Sequence, residues 1–161
     1  MTDEWQYSPN SEWPERHAKS LEEDGEEWAN MNAFLAYFTK HHDKVYWTNG
    51  FHALRDVLEP DDFERPDIWS DGVGLDVYLP SAAVWILISA DLFWDVVKRK
   101  KETKLDDRYM EHMSLERWEE WKTAFQEIAG GKRGEVNERT RKLANDAAIE
   151  MEKIASIEIA S

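Results

Sequence analysis

The chain has 161 residues, 42% of them apolar, with no cysteine, and its 34 acidic against 20 basic side chains give a formal charge of −14. A chain of that length and composition suits one core, and without cysteine it forms no disulfide framework, thiolate zinc site, iron–sulfur cluster or cysteine nucleophile. The charge repels phosphate backbones and acidic membrane surfaces, so neither nucleic acid nor a membrane is an expected partner.

Residues 1–10 are polar and aromatic without a period and read as an irregular arm, which leaves residues 11–161 as one helical domain. The start Met1-Thr-Asp-Glu-Trp5 lacks the basic cluster and apolar run of a signal peptide, so a cytoplasmic location is expected. A first helix begins near Ser11 or Pro14. It is clearest from Glu22 to Thr39, where Trp28, Met31, Leu35 and Phe38 recur at helical spacing, although Gly25 weakens its first half. Lys40-His-His-Asp43 is a polar break. Phe51, Leu54 and Leu58 then mark a second helix that ends before Pro60, because proline disfavours helical geometry at Glu59. From Pro60 to Gly74, prolines, glycines and acidic residues predict a loop of turns.

Asp76 is a candidate N-cap for a third helix carried to about Lys101, with Pro80 in its first turn. Val77, Val84, Ile86, Leu87, Ile88, Leu92, Phe93, Val96 and Val97 cover most of its circumference, which marks it as the central helix. Pro80, Ser81, Ser89, Asp91 and Asp95 interrupt the run and make it a poor membrane span. Lys98-Arg-Lys-Lys101 and Lys104 follow, where cations complement the helix dipole. Ser114 caps a fourth helix with the stripe Trp118, Trp121, Phe125 and Ile128, ended by Gly130-Gly131. Asn137 caps a fifth, whose Leu143, Ala147, Met151 and Ile154 form a narrow seam that needs a partner helix, and Ser156 to Ser161 reads as frayed helix. The fold class is all-α: a bundle of four to five helices around residues 76–101.

Among residues able to carry chemistry, His52 and Asp56 are the leading pair. Four apart on one helical face, they place a carboxylate where it orients an imidazole for general acid–base work, or where the two are no more than a surface ion pair. Arg55, beside them in sequence, is a candidate contact for a substrate carboxylate or enolate. The nine tryptophans supply core area first and pocket walls for a flat apolar ligand second, and Tyr46, Trp47 and Trp85 are the candidate substrate-binding rings. No metal or cofactor is expected. His41-His42-Asp43 cannot turn adjacent side chains onto one ion in a helix, and no Glu-x-x-His pair of the di-iron kind occurs. A calcium loop from Asp67 fails at Trp69 and Tyr78. Asp61-Asp-Phe-Glu64 resembles the aspartate-rich magnesium motif of class I terpene cyclases, but Arg65 stands where that motif needs an acid. Gly72-Val-Gly74 is too brief for a phosphate loop, and no Gly-x-Ser-x-Gly elbow is present.

Asn32-Ala-Phe-Leu-Ala36 with Ala53-Leu-Arg-Asp-Val-Leu-Glu59, Leu79-Pro-Ser-Ala-Ala-Val-Trp-Ile86, Glu116-Arg-Trp-Glu-Glu-Trp-Lys122 and Thr140-Arg-Lys-Leu-Ala144 together resemble a family of fungal proteins of unknown function. The resemblance runs over residues 28 to 155. It implies a helical fold, a fungal source and, for some members, genes lying among those of specialised metabolism; it carries no catalytic residues. Two readings follow. In the first, the protein is a small cofactor-independent cyclase, isomerase or lyase that acts on an aromatic or polyketide-like molecule through His52 and Asp56. In the second, it is an acidic helical interaction module without catalysis, a homodimer being one such form. An apolar cavity of some hundreds of Å³ holding His52 or Asp56 favours the first, and a flat tryptophan-bearing patch the second.

Overall fold

In the computed structural model, residues 14–42, 46–59, 73–99 and 113–159 are described, and they form five helices with no strand among them. These are α1 (Pro14–His41), α2 (Trp47–Leu58), α3 (Val73–Arg99), α4 (Leu115–Ala129) and α5 (Glu138–Ile159). The arm at 1–10, most of the 60–74 loop with its aspartate-rich motif, and the basic run beyond Arg99 lie outside the described residues.

Helix α3 is the centre of the bundle, packed against α1, α2, α4 and α5. It is long and apolar enough to cross a membrane by length and composition, with a mean hydropathy of 1.5 in its most apolar stretch, yet most of that stretch is buried inside the protein. Leu75, Leu79, Ala82, Trp85, Ile86, Phe93 and Val96 are among its core residues.

Two details of α3 differ from the sequence reading. The helix starts at Val73, so Asp76 lies inside the first turn and is not the N-cap, and Pro80 falls a turn deeper than expected. The reason is that the Asp76 carboxylate serves another helix. Its Oδ1 accepts hydrogen bonds from Asn137 N–H (3.0 Å) and the Thr140 hydroxyl (2.7 Å), fixing the start of α5 to the start of α3. Farther along, α3 bends at Ser89, where φ is −136° and ψ 30°. The Ser89 hydroxyl donates to Trp85 O (2.8 Å), and Lys40 Nζ, reaching over from α1, donates to Ile88 O (3.0 Å). The bend therefore leaves these carbonyls satisfied.

Helices α4 and α5 follow their predicted caps. The Ser114 side chain accepts from Arg117 N–H (3.0 Å), and the Asn137 side chain from Thr140 N–H (2.8 Å). At the end of α4, Gly131 takes φ 75°. Its N–H donates to Ile128 O (3.1 Å) while Lys132 N–H reaches Glu127 O (2.9 Å), the paired bonds of a Schellman motif that require a left-handed residue between them. Trp118, Trp121, Phe125 and Ile128 are fully buried, and Ala147 and Met151 of the α5 seam are buried in the same core, where α5 packs against α3 and α4.

Helix α1 overturns an expectation. Its buried face is Gly25, Ala29, Asn32, Ala36 and Thr39, a seam of small side chains at steps of four, three, four and three. The expected stripe points elsewhere: Trp28 and Met31 are exposed, and Leu35 and Phe38 only half-buried. The cause is close approach. A Cβ on Gly25 would sit 3.3 Å from Val77 Cα and O of α3, a spacing that leaves no room for large rings between the two helices.

Candidate functional site

Helix α2 is amphipathic in a way that builds one wall of a site. Trp47, Gly50, Phe51, Leu54, Val57 and Leu58 are buried, which turns Thr48, Asn49, His52 and Asp56 toward α1 along the opposite face. The α2 backbone lies close to α3 at Gly50, where an added Cβ would come within 2.5–2.9 Å of the Trp85 ring. Trp85 is itself fixed, its Nε1–H donating to Asn32 Oδ1 (2.8 Å), while Asn32 Nδ2 donates to Trp28 O (2.9 Å).

Between these helices is a cavity of about 350 Å³. Trp28, Met31 and Leu35 of α1, Ala53 and Val57 of α2 and Tyr78 of α3 form its apolar surface; Asn32, Thr48, Asn49, His52, Asp56 and Ser81 supply its polar groups. Asp56 is the one acidic side chain among these residues, and none is lysine or arginine. The cavity therefore suits a neutral or cationic molecule with an apolar body better than an anion. Among the described residues, no group of three or more His, Asp or Glu side chains is placed to hold a metal ion.

The structure brings some of the sequence candidates together and separates others. His52 and Asp56 share the cavity wall, but no ion pair joins them among the described residues; the Asp56 carboxylate lies 3.3 Å from Arg55 Nη2. Arg55 does not line the cavity, and its guanidinium carbon sits 5.9 Å from the Phe51 ring centre. The three candidate rings are also elsewhere. Trp47 is buried against Phe93 with ring centres 4.2 Å apart, and Trp85 is fully buried in the core. Tyr46 precedes α2, its N–H donating to Thr39 Oγ1 (3.2 Å) and its ring 5.8 Å from Phe38. Sequence reasoning assigned Trp28 to the core stripe and weighed Tyr78 only as a failed calcium ligand, yet these are the cavity's aromatic walls. The signal that would have found them is Asn32, a polar residue inside a seam of Gly and Ala.

A second, more open hollow of about 460 Å³ lies between the end of α2 and α4, beside Glu59, Trp121 and Arg133. Its central groups are committed to structure. Glu59 Oε1 accepts from Arg117 Nε (2.8 Å) and Trp121 Nε1 (2.6 Å), and Oε2 accepts from Arg117 Nη2 (3.1 Å). Arg133 bonds Glu127 (2.6 Å) and the Leu58 carbonyl (3.3 Å). Although larger, this hollow is more open, and Glu59, Trp121 and Arg133 at its centre are already bonded to structural partners. The α1–α2–α3 cavity is the better candidate.

A family model described as a protein of unknown function, DUF3632, matches residues 1–125, that is 125 of the 161 residues. The match ends within α4, so the Thr140–Ala144 segment lies beyond it. No curated protein and no solved structure matches the chain.

Proposed function

The chain belongs to the DUF3632 family, and we propose that it is a small enzyme that carries out proton-transfer chemistry, of the cyclase, isomerase or lyase kind, on an aromatic or polyketide-like molecule of specialised metabolism. The observation that carries this reading is the cavity of about 350 Å³ in which Trp28 and Tyr78 face a wall bearing His52 and Asp56. In the proposed reaction the His52 imidazole takes a proton from a carbon next to a carbonyl. The electron pair moves to the carbonyl oxygen, and the imidazolium returns the proton at another carbon as the carbonyl re-forms. Thr48 and Asn49 donate hydrogen bonds toward the developing oxyanion, while the Ser81 hydroxyl is held by the Tyr78 carbonyl (2.6 Å) and the Asp56 carboxylate by Arg55. Proton transfer of this type takes no cofactor.

The test is exchange of solvent deuterium into an aromatic ketone such as 2-tetralone, with binding followed by calorimetry. His52→Ala should slow the exchange by about 10²-fold or more while the helical spectrum is kept. Unchanged exchange in that variant removes His52 from the chemistry, and no saturable binding across a panel of aromatic ketones and amines removes the small-molecule reading itself.

A different observation favours a second reading, an acidic helical interaction module. Large apolar side chains of α1 stand in solvent beside the cavity.

A further inference from the structure

The outward side of α1 is a second seam. Opposite the buried Gly25–Thr39 face, Glu27, Met31, Phe34, Phe38 and His41 follow one another at steps of four, three, four and three, the spacing by which one helix packs along another. Phe34 and Tyr37 are 63% and 62% exposed, and Trp28 and Met31 are 44% exposed each. At ~200 Å² for a full large side chain, Phe34, Tyr37 and Met31 together present roughly 300 Å² of apolar surface outward along this helix, Trp28 facing the cavity instead. A patch of that size is of the order of the largest on an ordinary monomer, which is often functional, and is under half of what each partner contributes to a standard interface. The rings are also held in place: Phe34 lies 6.0 Å from Phe38, Tyr37 4.5 Å from His41, and Phe38 4.2 Å from His42, centre to centre. Rings already ordered lose little freedom on docking.

We infer that a second copy of this chain covers the seam, α1 against α1, antiparallel, with Phe34 on the two-fold axis. This takes up the interaction reading and is independent of the cavity chemistry. Charge selects the occupant and its direction. Glu27 stands seven residues before Phe34 and His41 seven after it, two turns or roughly 10 Å on either side. An antiparallel pair centred on Phe34 therefore sets Glu27 of each copy against His41 of the other and Met31 against Tyr37. A parallel pair sets Glu23, Asp24 and Glu27 against themselves. Matching a surface to its own rotated image is what a two-fold contact demands.

Sedimentation equilibrium of the full chain at micromolar concentration should give a dimer. Phe34→Asp, which places two like charges on the axis, should weaken association at least about a hundredfold and leave the helical spectrum unchanged. Ile149→Asp, on an exposed site of α5, should leave the dimer intact. Because the chain has no cysteine, crosslinks report geometry directly. Phe34→Cys should form an oxidised dimer readily, whereas two Glu23→Cys thiols, each eleven residues from the axis, lie roughly 33 Å apart along an antiparallel pair. A dimer indifferent to Phe34→Asp overturns the inference, as does preferential crosslinking at position 23. So does a monomer. A monomer whose binding of an apolar dye falls on Phe34→Asp fails only the second copy and keeps α1 as a surface for another protein, whereas one without that difference fails the interaction reading as well.

Discussion

Removing the Trp121 ring should unfold the protein at markedly lower denaturant. The ring is fully buried, with its centre 5.7 Å from that of Phe51 and 6.3 Å from that of Phe93, and its N–H meets Glu59 at 2.6 Å. Two costs add in Trp121→Ala. The cavity left by a buried aromatic costs about 3–5 kcal/mol, and Glu59 loses one of three donors in a half-dry setting. Trp121→Phe separates the two: it keeps most of the ring and loses the hydrogen bond to a charged group, for about 1.5–3 kcal/mol. With a urea slope of about 2 kcal/mol/M, the alanine variant should lose about 3 M in midpoint and the phenylalanine variant about 1 M. Urea titrations followed by far-ultraviolet circular dichroism read both. An alanine variant within about 0.3 M of the parent would refute the core assignment, since a side chain that supports the fold cannot be removed at so small a cost. Equal losses for both variants would move the weight from ring packing to the Glu59 contact.

Gly50→Ala should lower the melting temperature by several degrees, because the new methyl meets the Trp85 ring at 2.5 Å and overpacking of this kind costs about 1–3 kcal/mol; calorimetry checks it. Asp76→Ala should cost about 1–3 kcal/mol and speed amide exchange at the start of α5, whose Asn137 N–H and Thr140 hydroxyl lose their acceptor, while Asp76→Asn should retain part of both. Partial burial lowers the Lys122 pKa, but hydrogen bonds and charge attraction to Glu119 and Glu152 outweigh it and hold the ammonium above its ordinary value of 10.5. A raised basic group contributes fully below its unfolded value and loses that contribution as pH rises through the folded one. Denaturation midpoints should therefore show a Lys122-dependent decline only above pH 10.5, absent in Lys122→Met.

Helices α2 and α4 were legible because their largest apolar side chains lie on the face they bury, so the period of size and the period of burial coincide; in α5 the seam holds at Ala147 and Met151, although Ile149 and Ile157 stand in solvent. In α1 the two part company. Burial there follows Gly25, Ala29 and Ala36, whose small volumes permit close approach to α3, and a pattern judged by large apolar residues points to the flank that lines the cavity. The four-residue step from His52 to Asp56 did place both on one wall, since the helix fixes that relation locally. Which tryptophans bound the cavity is a question about α1 and α3 meeting, and within α1 only Asn32, polar in a seam of Gly and Ala, separates Trp28 at the wall from Trp85 in the core. The bonds from Arg117 and Trp121 to Glu59, across 58 and 62 positions of chain, were invisible for the same reason.

The Gly25–Thr39 seam also acts as a gauge for the cavity. Trp28, Met31 and Leu35 project from the helix that this seam seats on α3, so the gap between them and His52 is set by the thickness of side chains that never reach a ligand. One methylene added at Ala29 or Ala36 should lift the whole wall and alter the room between Trp28 and His52. Preference for ligand size would in that case be inherited through residues of the helix–helix contact, and a search for specificity confined to the cavity lining would overlook them.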